Sequence, residues 1–108
     1  MGVLVAAITA LLPHDTDAGF DPAAWRASAG IETGNRRFGM IHDLEANKLR
    51  VGMTRDEVRT LLGPAEGSGP DYDSWGLGFA PFVGVDYDTY QVRYGPDGRV
   101  SGFGLVRG

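Results

Sequence analysis

The sequence predicts one small α+β domain, with short helices in its first half leading into a mostly antiparallel sheet. Three observations predict it. The run Thr54–Leu62 carries both a start and a stop signal for a helix. Beyond Gly63 the apolar period changes from helical to two. Most of the 17 glycines also lie beyond Gly63, which places tightly turned backbone there. A chain of 108 residues supplies one core and leaves no room for a second. Its 43% hydrophobic and 10% aromatic content is enough to form that core, so wholesale disorder is not expected.

The chain divides into an apolar segment with a linker (1–19) and the domain proper (20–108). Val3–Leu12 is apolar except for Thr9. It is too short to cross a bilayer ~30 Å thick, which takes about 20 residues. No Lys or Arg precedes it and no small-x-small cleavage site follows. Three readings stay open: the remnant of a signal or membrane anchor, a structured first helix, or an artificial addition. Its length best fits the apolar region of a signal. Pro13–Gly19 is polar and turn-rich and reads as a linker.

Phe20-Asp21-Pro22 opens the first helix. Asp21 accepts from free N–H groups, and Pro22 at the first position loses nothing by lacking its own. Ala23, Ala24 and Ala27 favour helix, Trp25 anchors it, and it ends by Gly30. The second helix is expected over Arg36–Leu49. At helical spacing Phe38, Met40, Ile41, Leu44 and Leu49 share an arc, with Arg36, Asp43 and Asn47 opposite. Arg37, Glu45 and Lys48 intrude on the apolar arc, where their stems can bury while the charges stay in water.

Thr54 is a good N-cap, and Glu57 three residues later completes a capping box. Met53 and Val58 stand at the positions of a hydrophobic staple. Val58, Leu61 and Leu62 form the buried stripe, Asp56 and Glu57 complement the helix dipole, and Gly63-Pro64 ends the helix. A Gly/Pro/Ser loop (Pro64–Pro70) follows.

Three strands come next. Trp75, Leu77 and Phe79 alternate with Ser74, Gly76 and Gly78, giving one heavy face and one bare face. Tyr90–Tyr94 alternates likewise. Gly95-Pro-Asp-Gly98 is a reverse-turn signal, and Arg99–Arg107 returns as the partner strand.

Function classes narrow by exclusion. A net charge of −4, with Arg36-Arg37 the only basic doublet, argues against nucleic acid, which requires a concentrated basic surface. There is no cysteine, which excludes disulfides, thiolate metal sites and cysteine nucleophiles in this chain. His14 and His42 stand in no metal-binding spacing. No serine sits in a nucleophile elbow, and no glycine-rich stretch has the strand-to-helix order of a phosphate cradle. No motif calls for a cofactor, and the chain does not read as an enzyme.

Two patterns remain. Asp71-Tyr72-Asp73 and Asp86-Tyr87-Asp88 repeat an acidic–aromatic triplet. Paired carboxylates can hold a hard cation or divide acid and base roles, so these four aspartates are weak metal candidates. Neither triplet matches a calcium loop, and Asp is common where loops enter strands, which is the preferred explanation. Of the aromatics between Trp75 and Tyr90, Trp75 and Tyr90 are expected in the core with Leu77. Phe79, Phe82 and Tyr87 border a Gly/Pro-bearing connection and are the binding candidates.

The segment from Leu49 to Pro64 resembles the signature of the SmpA/OmlA (BamE-like) domain family at Gly52, Met53, Thr54, Val58, Leu62, Gly63 and Pro64. The hairpin Tyr90–Val106 fits that family's closing strands. Phe20–Leu49 is similar to the corresponding stretch of small bacterial envelope proteins with no assigned activity. The resemblance implies helices packed on a three-stranded antiparallel sheet, an arrangement shared with β-lactamase-inhibitor proteins. It also implies a non-enzymatic role in protein–protein contact at the cell envelope, periplasmic or membrane-associated, with another protein as partner. A membrane tether through the N-terminal segment fits this, although the family's lipid-bearing cysteine is absent here. Two other readings stay open: an inhibitor-like module that occupies an enzyme cleft, and a small cation-binding or enzymatic domain centred on the triplets.

Overall fold

The structure is a computed structural model that describes residues 18–80 and 86–108. The apolar run Val3–Leu12, His14 and Phe82 lie outside the described residues. Among the described residues the chain forms α1 (Pro22–Ala27), α2 (Arg37–Asp43), a π-helical turn over Leu44–Lys48 and α3 (Arg55–Leu62). Strands β1 (Gly67–Gly69), β2 (Tyr72–Phe79), β3 (Tyr87–Tyr94) and β4 (Val100–Val106) then build an antiparallel sheet in the order β1-β2-β3-β4. The fold is α+β, helices before strands.

The local signals act as their chemistry requires. The Asp21 carboxylate accepts from the N–H groups of Ala23 and Ala24 at 3.0 and 3.4 Å. Glu57 N–H donates to Thr54 Oγ1 at 3.2 Å while Thr54 N–H donates to the Glu57 carboxylate at 2.8 Å, so the capping box is complete. Gly63 ends α3 at φ +85°, a conformation that favours glycine. The second helix is less regular than expected. It leaves the α-form at Leu44, where a wider turn closes with Leu49 N–H donating to Leu44 C=O at 2.8 Å.

One layer of core lies between the helices and a single face of the sheet. Trp25, Leu44, Val58, Trp75, Leu77, Tyr90 and Val92 have no exposed surface. Trp25 meets Tyr90 edge-on, with ring centroids 6.0 Å apart.

Among the described residues the sheet has four strands, not three. The extra strand, Gly67–Gly69, falls in the expected loop and pairs with Tyr72–Ser74. A side chain at Gly67 would collide with Ser74 Oγ and one at Gly69 with the Tyr72 ring, so bare glycines permit this pairing.

The expected heavy face of β2 also breaks. A bulge between Gly76 and Gly78 inserts Leu77 as an extra residue, so Phe79 pairs with Tyr87 on the outer face rather than following Trp75 into the core. Gly78 makes this possible at φ +81°, where a Cβ would lie 2.5 Å from Glu32 C=O.

Arg37 departs from expectation too. It is 1% exposed, with no charge left in water. Its Nη1 and Nη2 donate to the two Glu66 carboxylate oxygens at 3.0 and 2.8 Å. Nε donates to Trp25 C=O and Nη1 to Gly76 C=O, both at 2.8 Å, and the guanidinium stacks 5.0 Å from the Trp25 ring.

Candidate functional site

The bulge in β2 and the start of β3 bring two of the three binding candidates together. The rings of Phe79 and Tyr87 lie edge-to-face, with centroids 5.7 Å apart. The Phe79 backbone is held from the side, its N–H donating to Glu32 C=O at 2.7 Å. The Tyr87 ring reaches back over bare Gly76, where a Cβ would lie 2.6 Å from Tyr87 Oη. Val106 pairs with Thr89 and so shares this outer face. Tyr87 and Val106 are each 37% exposed, which makes the end of the outer face a small apolar patch.

The two acidic triplets do not converge. In each, the first aspartate (Asp71, Asp86) is exposed and the last (Asp73, Asp88) is buried on the core face. Asp73 pairs with Val92 and Asp88 with Gly78. Val92 and Asp88 are four residues apart on β3, a separation of about 13 Å along the strand. Among the described residues no three His, Asp or Glu side chains gather as a metal site would require. His42 is exposed on α2.

Asp73 is instead the hub of an ionic network. Arg55 and Arg59, one turn apart on α3, each donate Nε and Nη2 to its carboxylate at 2.8–3.2 Å. Ser68 Oγ donates at 2.8 Å and Tyr94 Oη at 2.9 Å. Arg55 also donates to the carbonyls of Gly69, Pro70 and Tyr72, and its guanidinium lies 4.7 Å from the Tyr94 ring. Burial pushes the Asp73 carboxyl upward, but the hydrogen bonds from Arg59, Arg55, Ser68 and Tyr94 outweigh it and hold the group well below the carboxylate range. Burial, and then the bond to Asp73, pushes the Tyr94 phenol well up. Burial and the Glu45 carboxylate at 2.9 Å do the same to Tyr90.

These groups tie α3 to β1, β2 and β3, and the Asp73 carboxylate is satisfied by donors from all three sides. Sequence reasoning missed the network. Its one visible trace is the spacing of Arg55 and Arg59, which puts both on one helix face without naming the carboxylate they meet.

Asp88 contrasts with Asp73. Neither of its buried oxygens has a hydrogen-bond partner among the described residues, nor has Trp25 Nε1. The guanidinium of Arg107 approaches Asp88 to 4.0 Å. A shallow, mainly apolar depression of about 270 Å³ lies where α1 and the end of α3 meet the Arg37–Glu66 pair. No described helix is long and apolar enough to cross a membrane.

Comparison of the chain with protein-family models, with curated proteins and with solved structures gave no match.

Proposed function

We propose that this chain is a non-enzymatic protein-binding or scaffold module of the bacterial cell envelope, with another protein as its partner. The observation that carries the binding part is the patch of half-buried Phe79 with exposed Tyr87 and Val106 on the sheet face opposite the helices. Aromatic side chains presented by a rigid strand pair bury large area at small entropic cost, which is what an interface anchor needs. The Asp73 network supports the same reading, since its carboxylate and the two arginines hold helix to sheet. The envelope part rests on the Leu49–Pro64 resemblance and on the apolar run Val3–Leu12.

Two experiments test it. Fractionation of the native protein should place it in the envelope, and a wholly cytosolic location sinks that part. Capture on immobilised full-length chain should retain a defined protein. The Phe79→Ala, Tyr87→Ala double variant should weaken that binding by about 30-fold or more if the two rings are anchors.

A second reading draws on the same patch, because the pair flanks the connection between β2 and β3. In it the chain is an inhibitor-like module that inserts this end into an enzyme cleft. The captured protein then is a hydrolase whose activity falls on binding.

A further inference from the structure

We propose that the open edge of β4, from Gly102 to Val106, is a docking strand that takes an extended acidic segment of the partner by main-chain pairing. This rests on the reading of the chain as a protein-binding module and adds to the Phe79–Tyr87 patch, through shared Val106, the edge that pairs with the partner's backbone. The contrast between the two edges of the sheet carries it.

The β2 edge is closed wherever β1 does not reach. Gly76 N–H donates to the Glu66 carboxylate and Gly76 C=O accepts from Arg37, each at 2.8 Å, while Phe79 N–H is taken by Glu32. Side chains and a loop thus stand where another strand would pair. Among the described residues the β4 edge is closed only at its start. There Val100 N–H donates to Met53 C=O and Gly52 N–H to Val100 C=O, both at 2.8 Å, and Thr54 bridges Arg99.

Register shows what the rest leaves open. Because Gly76 turns its N–H and C=O away from β3, the Gly76–Thr89 pair is a non-hydrogen-bonded one. Alternation then aims Thr89, Gln91 and Arg93 at their β4 partners Val106, Gly104 and Gly102. The N–H and C=O groups of Phe103 and Leu105 therefore face outward, and no described residue pairs with them. From Gly102 to Val106 there is no proline, lysine or bulge, the devices that usually blunt such an edge.

The side chains indicate the occupant. Leu105 (38%), Val106 (37%) and, beside the closed start, Val51 (69%) are three of the five exposed large apolar residues among those described. Around them stand the exposed arginines Arg50, Arg93, Arg99 and Arg107. Arg93 lies across bare Gly102, its Nη2 3.1 Å from where a Cβ would be, which brings the charge to the edge itself. Three carboxylates oppose them: exposed Asp97, which accepts from Arg99 N–H at 3.0 Å, exposed Glu57, within reach of the Arg99 charge, and buried Asp88 beside Arg107. The strip is basic although the chain carries −4. A second copy paired edge to edge would line one seam with both sets of arginines. An extended strand with apolar centre and acidic ends meets the strip with opposite charge and continues the line begun by Gly52–Thr54.

The test titrates a fluorescein-labelled peptide, Asp-Val-Thr-Val-Thr-Val-Asp, and its lysine-ended counterpart into ¹⁵N-labelled full-length chain. The aspartate peptide should shift the Phe103 and Leu105 amides saturably and slow their exchange. It should bind about tenfold more tightly than the lysine peptide, with the difference shrinking as salt rises. Leu105→Pro removes an outward N–H and should abolish binding. Arg93→Glu, exposed and away from the core, should narrow the preference between the peptides. No saturable shift, equal affinity for both peptides, shifts centred elsewhere, or full binding by Leu105→Pro overturns the proposal. So does a concentration-dependent dimer of the wild type that Leu105→Pro dissolves, which makes the occupant a second copy. A captured partner held equally by wild type and Leu105→Pro removes the edge and leaves the protein-binding reading standing. A wild-type chain that captures nothing removes that reading itself, while the titration still decides the edge.

Discussion

Burying the Asp73 carboxylate without exposed surface sets a large desolvation cost against donors from Arg55, Arg59, Ser68 and Tyr94. The arrangement holds only while every partner is in place. Asp73→Asn leaves two arginines facing a neutral amide and should cost about 3–5 kcal/mol, read from the urea midpoint at neutral pH. The pH dependence has a definite sign. A carboxyl held below its unfolded value stabilises the fold above that value and loses its contribution as pH falls through the folded one. The backbone N–H of Phe20 lowers Asp43 and that of Thr54 lowers Glu57, so both act in the same direction. Stability should therefore fall as pH drops below about 4, where unfolded carboxyls protonate. Asp73→Asn should flatten that fall, and an unchanged slope would locate the acid sensitivity elsewhere.

Single substitutions separate the elements that local chemistry builds from those that packing imposes. Helix α3 is local: cap, staple and stop lie within twelve residues of sequence, Met53 to Pro64. Thr54→Ala should cost about 1 kcal/mol and leave the cooperativity of urea unfolding unchanged. The bulge in β2 is imposed. Gly78→Ala meets both a positive φ and the Glu32 carbonyl, and should cost more than the ~1–2 kcal/mol of the backbone conformation alone. A Gly78→Ala chain as stable as the wild type in urea would mean that β2 can pair without the bulge, returning Phe79 to the Trp75 face.

Across the whole molecule, β2 and β3 are the strands with neighbours on both sides, and they carry Trp75, Leu77, Tyr90 and Val92 at no exposure. Hydrogen exchange should be slowest at Trp75, Tyr90 and Val92, whose N–H groups lie within the central pairing. The amides of β1 should exchange much faster, since its three residues pair on one side only. Protection of β1 equal to that of β3 would mean that the sheet opens as one unit rather than from its edges.

The sequence by itself determined the α+β class, the starts of α1 and α3, the Gly63 stop, the Gly95–Gly98 turn and the core places of Trp75, Leu77 and Tyr90. Each depends on neighbours a few residues away or on a period of two, so the information is local. The tertiary structure decided the rest. A fourth strand formed where glycines let Gly67–Gly69 approach β2, and one inserted residue sent Phe79 to the outer face beside Tyr87. Arg37 found Glu66 across 29 residues, and Arg59 found Asp73 across 14. Composition lists these charges without pairing them, because a buried ion pair is defined by distance in the folded chain and not by spacing along it. For the same reason the open edge of β4 could be seen only once the sheet's order and register were known.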